Sequence, residues 1–258
     1  MTENLEVRYP DLAGRVALVT GGSRGIGAAT CRLLAANGVR VAVNGRDRAA
    51  VDAVVADIRA AGGSAEPAVG DVTDEDAVHD IRDRAERALG PVSILAAFAG
   101  GQGAPVPTTR LTAQRWRAVL ESDLTSVFLT VAAVLPGMVE REAGSIITMS
   151  SSAGRQAGGA NAGYAVAKAG VAMFARHLAK EVAPHHVRVN CLAPSAVLNE
   201  KMQQFMTGEQ IAGLAAGFPL GRIGRPVDVA QAAAFLASDA SSWITGVTLD
   251  LAGGRVIV

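Results

Sequence analysis

Thr20-Gly21-Gly22-Ser23-Arg24-Gly25-Ile26-Gly27 is the stretch that decides the reading of this chain. It follows a short apolar run, Val16–Thr20, that reads as a buried strand. It opens a helix over Ile26–Asn37 that Gly38 stops. Gly21 permits a sharp turn, Gly25 lets the backbone approach a pyrophosphate, and Gly27 lets helix and strand pack closely. The helix N-terminus then offers free N–H groups and a positive dipole to phosphates. Strand, Gly-rich loop and helix in that order mark a dinucleotide site.

Outward from this loop the pattern repeats. Val39–Asn44, Glu66–Val69, Ile94–Phe98, Ser145–Ser150, Arg188–Leu192 and Thr248–Leu251 read as strands. Helices are predicted over Arg48–Ala61, Asp74–Leu89 (capped by Thr73), Thr112–Val134 (ended near Pro136), Tyr164–Val182 and Val227–Leu236. Strands apolar on both faces, each followed by a helix, predict an α/β class: one doubly wound parallel sheet of Rossmann type, a single domain over residues 1–258. The stretch Ala193–Leu220 breaks the alternation. It follows a strand's carboxyl end, where loops face the ligand crevice, and is read as a substrate lid.

Composition narrows the class. Lys+Arg and Asp+Glu balance at 24 each, so no global field favours nucleic acid or a membrane surface. The polar stretch Met1–Pro10 lacks the apolar core of a signal peptide, and no apolar run is read as reaching the ~18 residues of a membrane span. Cys31 and Cys191 form no CxxC pair and read as buried reduced thiols. The four histidines show no metal-ligand spacing, so no metal is expected. A cytoplasmic protein follows from these readings.

The second strand bears on which nicotinamide cofactor is held. An acidic residue just past it would hold a ribose 2′-hydroxyl. This chain has Gly45 and Arg46 there, and Arg46 can pair with a 2′-phosphate bidentately. Arg24 can reach the same phosphate, so NADP(H) is expected. Asp71-Val72 would meet the adenine, and Asp47 would orient an arginine. Tyr164 and Lys168 share one helix face, roughly 6 Å apart. A phenol titrates near ~10 in water, and a neighbouring ammonium favours its ionised form. Tyr164 can then act as general acid or base. Ser150, Ser151 and Ser152 end the preceding strand, where a hydroxyl can polarise a substrate oxygen.

On these residues the chain resembles the short-chain dehydrogenases/reductases, in the single-domain type that includes 3-oxoacyl-carrier-protein reductases. The likeness runs from Leu12 to Gly254. It takes in the Gly loop, Asp71-Val72, Ser151 thirteen residues before Tyr164, Lys168, Val189-Asn190, Pro194, Ile244-Thr245-Gly246 and Gly253-Gly254. The resemblance implies hydride transfer between a nicotinamide and a small-molecule carbonyl or alcohol, with Ser151, Tyr164 and Lys168 as the catalytic group. It also implies cofactor contacts at Ser23, Ile26, Ala99, Gly100, Pro194, Ser195, Val197 and Asn199.

Three departures stand out. Where the family has Asn-Asn-Ala-Gly, this chain has Ala97-Phe98-Ala99-Gly100; Phe98 either fills the vacated space or reshapes the nicotinamide pocket. Where the family has an Asn that completes a catalytic tetrad, this chain has Asp123. A carboxylate beside Lys168 would oppose ionisation of Tyr164 and move the pH optimum up, unless it is protonated or turned away. Pro-Gly after the sixth strand becomes Pro194-Ser195, and Asn199 replaces a Thr that often holds the carboxamide. Arg155 is read as solvent-facing, the alternative being a contact to an acidic group. Glu142 and His185 occupy positions where carrier-protein reductases place basic side chains, which favours a free ketone over a carrier-bound one. The apolar tail Arg255–Val258 suggests packing against a second copy and a homotetramer, with a dimer next. The rival readings are a non-catalytic NADP(H)-binding regulatory paralogue and an enzyme using the same site for dehydration or epimerisation.

Overall fold

A computed structural model describes residues 8–256; the readings on Met1–Pro10 and Arg255–Val258 lie partly outside them. The short apolar runs become seven strands: β1 (Val16–Thr20), β2 (Arg40–Gly45), β3 (Ser64–Val69), β4 (Ile94–Ala97), β5 (Gly144–Met149), β6 (Val187–Pro194) and β7 (Thr248–Leu251). They form one parallel sheet in the order β3-β2-β1-β4-β5-β6-β7. The order reverses between β1 and β4, so a crevice opens at the carboxyl ends of those two strands. The Gly-rich loop leaves β1 at that place.

Helices cover both faces because the strands are apolar on both. Ala17, Val19 and Ile147 face α1 (Gly25–Ala36), α2 (Arg48–Ala60) and α9 (Pro226–Ala237), with Cys31, Leu34, Val51 and Leu236. Leu18, Leu95 and Ile146 face α3 (Glu75–Leu89), α5 (Ser126–Glu140) and α6 (Ala162–Val182), with Ile81, Val131, Val171 and Leu178. Burial of apolar area on two sides of one sheet is the main stabilising term. Helices α4 (Ala113–Leu120), α7 (Glu200–Phe205) and α8 (Gly208–Ala215) complete the set used here, the last two within the stretch 193–220.

Three expectations are corrected. Asp74, not Thr73, caps α3: its carboxylate accepts from the Ala77 N–H at 3.0 Å, while the Thr73 hydroxyl bonds to Asp71. The helix expected to end near Pro136 continues to Glu140, because Met138 is fully buried and seats the last turn under β5. That run is also interrupted by a π turn at Glu121–Thr125. The continuous helical stretch Ala113–Glu140 is, by length and composition, apolar enough to cross a membrane, with a mean hydropathy of 1.7 over its most apolar window. This differs from the expectation that no apolar run reaches that length; 44% of the window is buried inside the protein.

Thr20, at the end of β1, holds the switch point together. Its hydroxyl accepts from the backbone N–H of Phe98 at 3.0 Å and of Ala99 at 3.2 Å, and the residue is 1% exposed. Thr20→Val keeps the shape and leaves both N–H groups without that acceptor. Its expected cost is about 1–3 kcal/mol of stability in urea unfolding; a change indistinguishable from zero would show that the threonine is not the tie.

Candidate active site

The carboxyl ends of β1, β2, β4, β5 and β6 line one cleft. At one end stand Ser23, Arg24, Arg46, Asp71 and Val72. In the middle are Gly21, Gly25, Gly27, Phe98, Ala99 and Gly100. The other end carries Ile26, Ser151, Tyr164, Lys168, Pro194 and Ser195, with Val197, Asn199 and Met202 above them. Gly21 and Arg24 belong to both the first and middle parts, and Ile26, Phe98 and Asn199 to both the middle and last parts, so the cleft is continuous. The structure therefore brings together every residue expected to touch a cofactor.

The Gly loop is tight enough to matter. A Cβ on Gly27 would land on the carbonyl of Gly21, so no larger residue fits while α1 starts where it does. Arg24 and Arg46 are exposed and each is held by an acid. Arg24 pairs with Asp47 at 2.5 Å, and Asp47 also caps α2 through the Ala50 N–H. Arg46 pairs with Asp71 at 3.6 Å. Partial burial pushes the Asp71 carboxyl up, but two hydrogen bonds from Thr73 and the Arg46 charge outweigh it and hold it below its usual range.

At the far end, α6 sets the spacing of Tyr164 and Lys168, and Lys168 Nζ lies 5.5 Å from the Tyr164 ring centroid. Ser151 caps the turn Ser152–Gly154, its oxygen accepting from the Ala153 N–H at 3.2 Å, which leaves the hydroxyl proton free to donate. Lys168 is 2% exposed and donates to the Met149 carbonyl at 3.0 Å. Asp123 is turned toward it: Oδ1 lies 3.2 Å from Lys168 Nζ. The same carboxylate accepts from the N–H of Gly101 at 2.6 Å and of Gln102 at 3.2 Å, and from the Ser122 hydroxyl at 2.7 Å. The π turn places it there, with no exposed surface. Gly100 is forced by this contact: it has φ +129°, and a Cβ would sit on the Asp123 carboxylate.

Phe98 resolves its two alternatives jointly. It packs on the core cluster under α1 and also walls the middle and last parts of the cleft. Asn199 caps α7 by accepting from the Met202 N–H at 3.0 Å, so its oxygen is committed to the helix. Arg155 is not solvent-facing. It makes a bidentate pair with Asp250 at 3.0 and 3.1 Å, and both side chains are less than one-fifth exposed. The carboxylate on β7 lies within reach, so the guanidinium is neutralised there instead of facing water or a ligand.

Two residues of the site were not singled out from the sequence. Asn161 is fully buried. Its oxygen accepts from the Tyr164 N–H at 2.9 Å, and its amide donates to the carbonyls of Gln102 at 2.8 Å and Ala104 at 3.1 Å. The signal was available: an Asn just before a helix is a capping residue. Ser122, beside Asp123, carried no signal.

The family model for short chain dehydrogenase matches residues 15–210. The chain belongs to the short-chain dehydrogenase/reductase family. It is 40% identical over 246 residues to the cis-4-hydroxycyclohexanecarboxylate dehydrogenase of Sinomonas cyclohexanicum, covering 95% of this chain and 98% of that one. It is 36% identical over 245 residues to the 3-oxoacyl-(acyl-carrier-protein) reductase of Escherichia coli K12, covering 95% and 98%. A solved 3-oxoacyl-(acyl-carrier protein) reductase from Brucella melitensis with bound NAD superposes with TM-score 0.90 at 31% identity, covering 100% of this chain and 97% of that one. The chain is thus an oxidoreductase of this family, whose members bind a nicotinamide cofactor.

Asn161 supplies a test of the site's construction. Asn161→Ala removes the cap of α6 and both ties to the loop at 102–104. The expected loss is about 2–4 kcal/mol in chemical unfolding, a missing cap plus unsatisfied buried carbonyls. Asn161→Asp keeps the capping oxygen and recovers only part of it. Equal stability of the wild type and both variants would remove Asn161 from the site's frame.

Proposed function

We propose that this protein is an NADP(H)-dependent oxidoreductase that interconverts a ketone and a secondary alcohol. The observation that carries the reading is one cleft with Arg24 and Arg46 at one end and Ser151, Tyr164 and Lys168 at the other. The residues fit the cofactor. The loop is closed by glycine at Gly27, no carboxylate follows β2 directly, and two exposed arginines flank Gly45 and Asp71. Arg24 and Arg46 would hold the 2′-phosphate, the loop Gly21–Gly27 the pyrophosphate, and Lys168 with Pro194 to Val197 the nicotinamide end. When bound, the reduced nicotinamide supplies a hydride.

The Ser151 hydroxyl donates a hydrogen bond to the carbonyl oxygen, keeps its proton, and polarises the carbonyl. Tyr164 gives its phenol proton to the same oxygen as it becomes a hydroxyl, and takes a proton from the alcohol in the reverse direction. Lys168 supplies positive charge beside the phenol. Residues 193–220, with the apolar side chains of Met202 and Phe205, act as a lid over this end. A free ketone or 3-oxoacyl-type compound fits the walls. The guanidinium of Arg155 is already paired with Asp250, and exposed Glu142 and His185 stand where a carrier protein would need basic partners.

A homotetramer is the assembly we favour. Phe128 on α5 with Val166 and Met173 on α6 forms one exposed apolar face, and Trp243, Val247 and Leu249 by the edge strand β7 form another. Two separate self-complementary faces are what a closed tetramer uses. Cytoplasmic placement rests on Cys31 and Cys191, both free and buried, with burial pushing the Cys31 thiol up.

Tyr164→Phe is expected to lower ketone reduction by about 10²–10⁴-fold, followed by NADPH absorbance, while NADPH still binds. Retained turnover would overturn the assignment; binding with no turnover in the wild type on any ketone or alcohol would favour the regulatory paralogue. Replacing Arg24 and Arg46 together by Ala should weaken NADPH binding by about 10²- to 10⁴-fold and leave NADH binding within about twofold, since each charge-assisted bond contributes about 1.5–3 kcal/mol. Fluorescence titration reads this, and equal losses for both cofactors would sink the NADP(H) reading.

A further inference from the structure

A hydroxyl that polarises a carbonyl must be placed closely, because a misplacement of about 1 Å costs on the order of 10²-fold in rate. Ser151 stands two residues past β5, where the strand gives way to the turn Ser152–Gly154. Its side chain takes its direction from that turn. Its Oγ accepts from the Ala153 N–H at 3.2 Å, and its carbonyl accepts from the Gly154 N–H at 2.9 Å. Upstream the chain is fixed: the Ser150 N–H donates to the Leu192 carbonyl at 2.8 Å, and the Ser150 hydroxyl to the Lys168 carbonyl at 2.6 Å. One face of the turn is seated as well, since a Cβ on Gly154 would overlap the backbone of Lys168 and Ala169. Downstream the chain runs over the surface. Gln156 to Gly159 are exposed, a Cβ on Gly158 or Gly159 would meet nothing within 4 Å, and the next buried residue is Asn161.

Arg155 stands between the turn and that open stretch. Its N–H closes the turn on the Ser152 carbonyl at 3.0 Å. Its guanidinium grips Asp250, Nε to Oδ1 at 3.0 Å and Nη2 to Oδ2 at 3.1 Å, with the two side chains 16% and 19% exposed. A planar fork on a carboxylate fixes direction as well as distance. Asp250 lies on β7 opposite Ala193 of β6, so the anchor is the sheet itself. We propose that Arg155 and Asp250 are positioning residues for the reaction: the pair holds the far end of the turn against β7 and so aims the Ser151 hydroxyl at the substrate oxygen. The proposal rests on the reading of the site as a carbonyl reductase. Neither side chain touches the reacting atoms. Stability alone does not call for such a pair, because apolar side chains of similar volume fill the same space at equal or lower cost. What apolar contacts do not supply is direction.

The test compares wild type, Arg155→Ala and the apolar pair Arg155→Met with Asp250→Leu, each also in a Ser151→Ala background. Arg155→Ala and the apolar pair are expected to lower kcat for ketone reduction by about 10- to 100-fold, with KM for NADPH within about twofold. The apolar pair melts like the wild type, which separates aim from folding. In the Ser151→Ala background the same changes cost less than about twofold more, because the hydroxyl they aim is gone. Hydrogen–deuterium exchange of residues 151–156 should quicken by about tenfold in the apolar pair, while that of β1 stays as in the wild type. A fully active apolar pair overturns the positioning role. So do losses that multiply with Ser151→Ala, or an unchanged exchange rate of the turn. A wild type that reduces no ketone, with exchange of the turn still quickened in the apolar pair, overturns the reductase reading and leaves the pair's hold on the turn standing.

Discussion

The buried pair between Asp123 and Lys168 is the interaction around which this site is arranged. Taking either ion out of water costs several kcal/mol, and the attraction between them repays that only when the remaining hydrogen-bond positions are filled. Here they are. Two N–H groups, a hydroxyl and the ammonium surround the carboxylate, and the Met149 carbonyl takes a second proton of the ammonium. Each partner fixes a different element: the π turn at Glu121–Thr125, the loop after β4, the end of β5, and α6. Removing one charge alone would leave the other stranded, which is why the geometry of four elements is coupled through one contact.

The glycine at Gly100 shows how this constraint reaches the sequence. The residue there must leave room for the carboxylate, so the loop after β4 is thin and the cleft extends across it. The same loop is tied from below by Thr20 and from beyond by Asn161. Three polar side chains from β1, the π turn and the α6 cap thus hold a stretch that has few apolar contacts of its own. Polar ties of this kind specify one geometry where apolar packing would tolerate several.

The sheet was legible because its signals are local and redundant. Val16–Thr20, the Gly loop and the helix after it each point to a parallel doubly wound sheet, and the two-sided burial of Ala17 and Leu18 is what their apolarity requires. Element ends were less legible where two residues compete for one role, as Asp74 and Thr73 do at the start of α3. The continuation through Pro136 depends on Met138 finding a place under β5, a contact between distant segments. The site followed the same division. Tyr164, Lys168 and the Gly loop lie within single elements and were readable from spacing. Arg155 with Asp250, and Asp123 with Lys168, join residues 95 and 45 positions apart, so their pairing is a property of the fold.

The ion pairs of the cleft divide by burial, and the division matches what each has to do. Arg24 with Asp47 and Arg46 with Asp71 are well exposed, and such pairs contribute about 1 kcal/mol or less. An arriving phosphate can therefore take over either guanidinium at little cost, and the aspartates hold the arginines oriented beforehand. Asp123 with Lys168 and Arg155 with Asp250 are largely withdrawn from water, where exchange of a partner would strand a charge. On the proposed function this places exchangeable pairs where a cofactor must come and go. The fixed pairs sit where the proton donor and the turn after Ser151 must stay put.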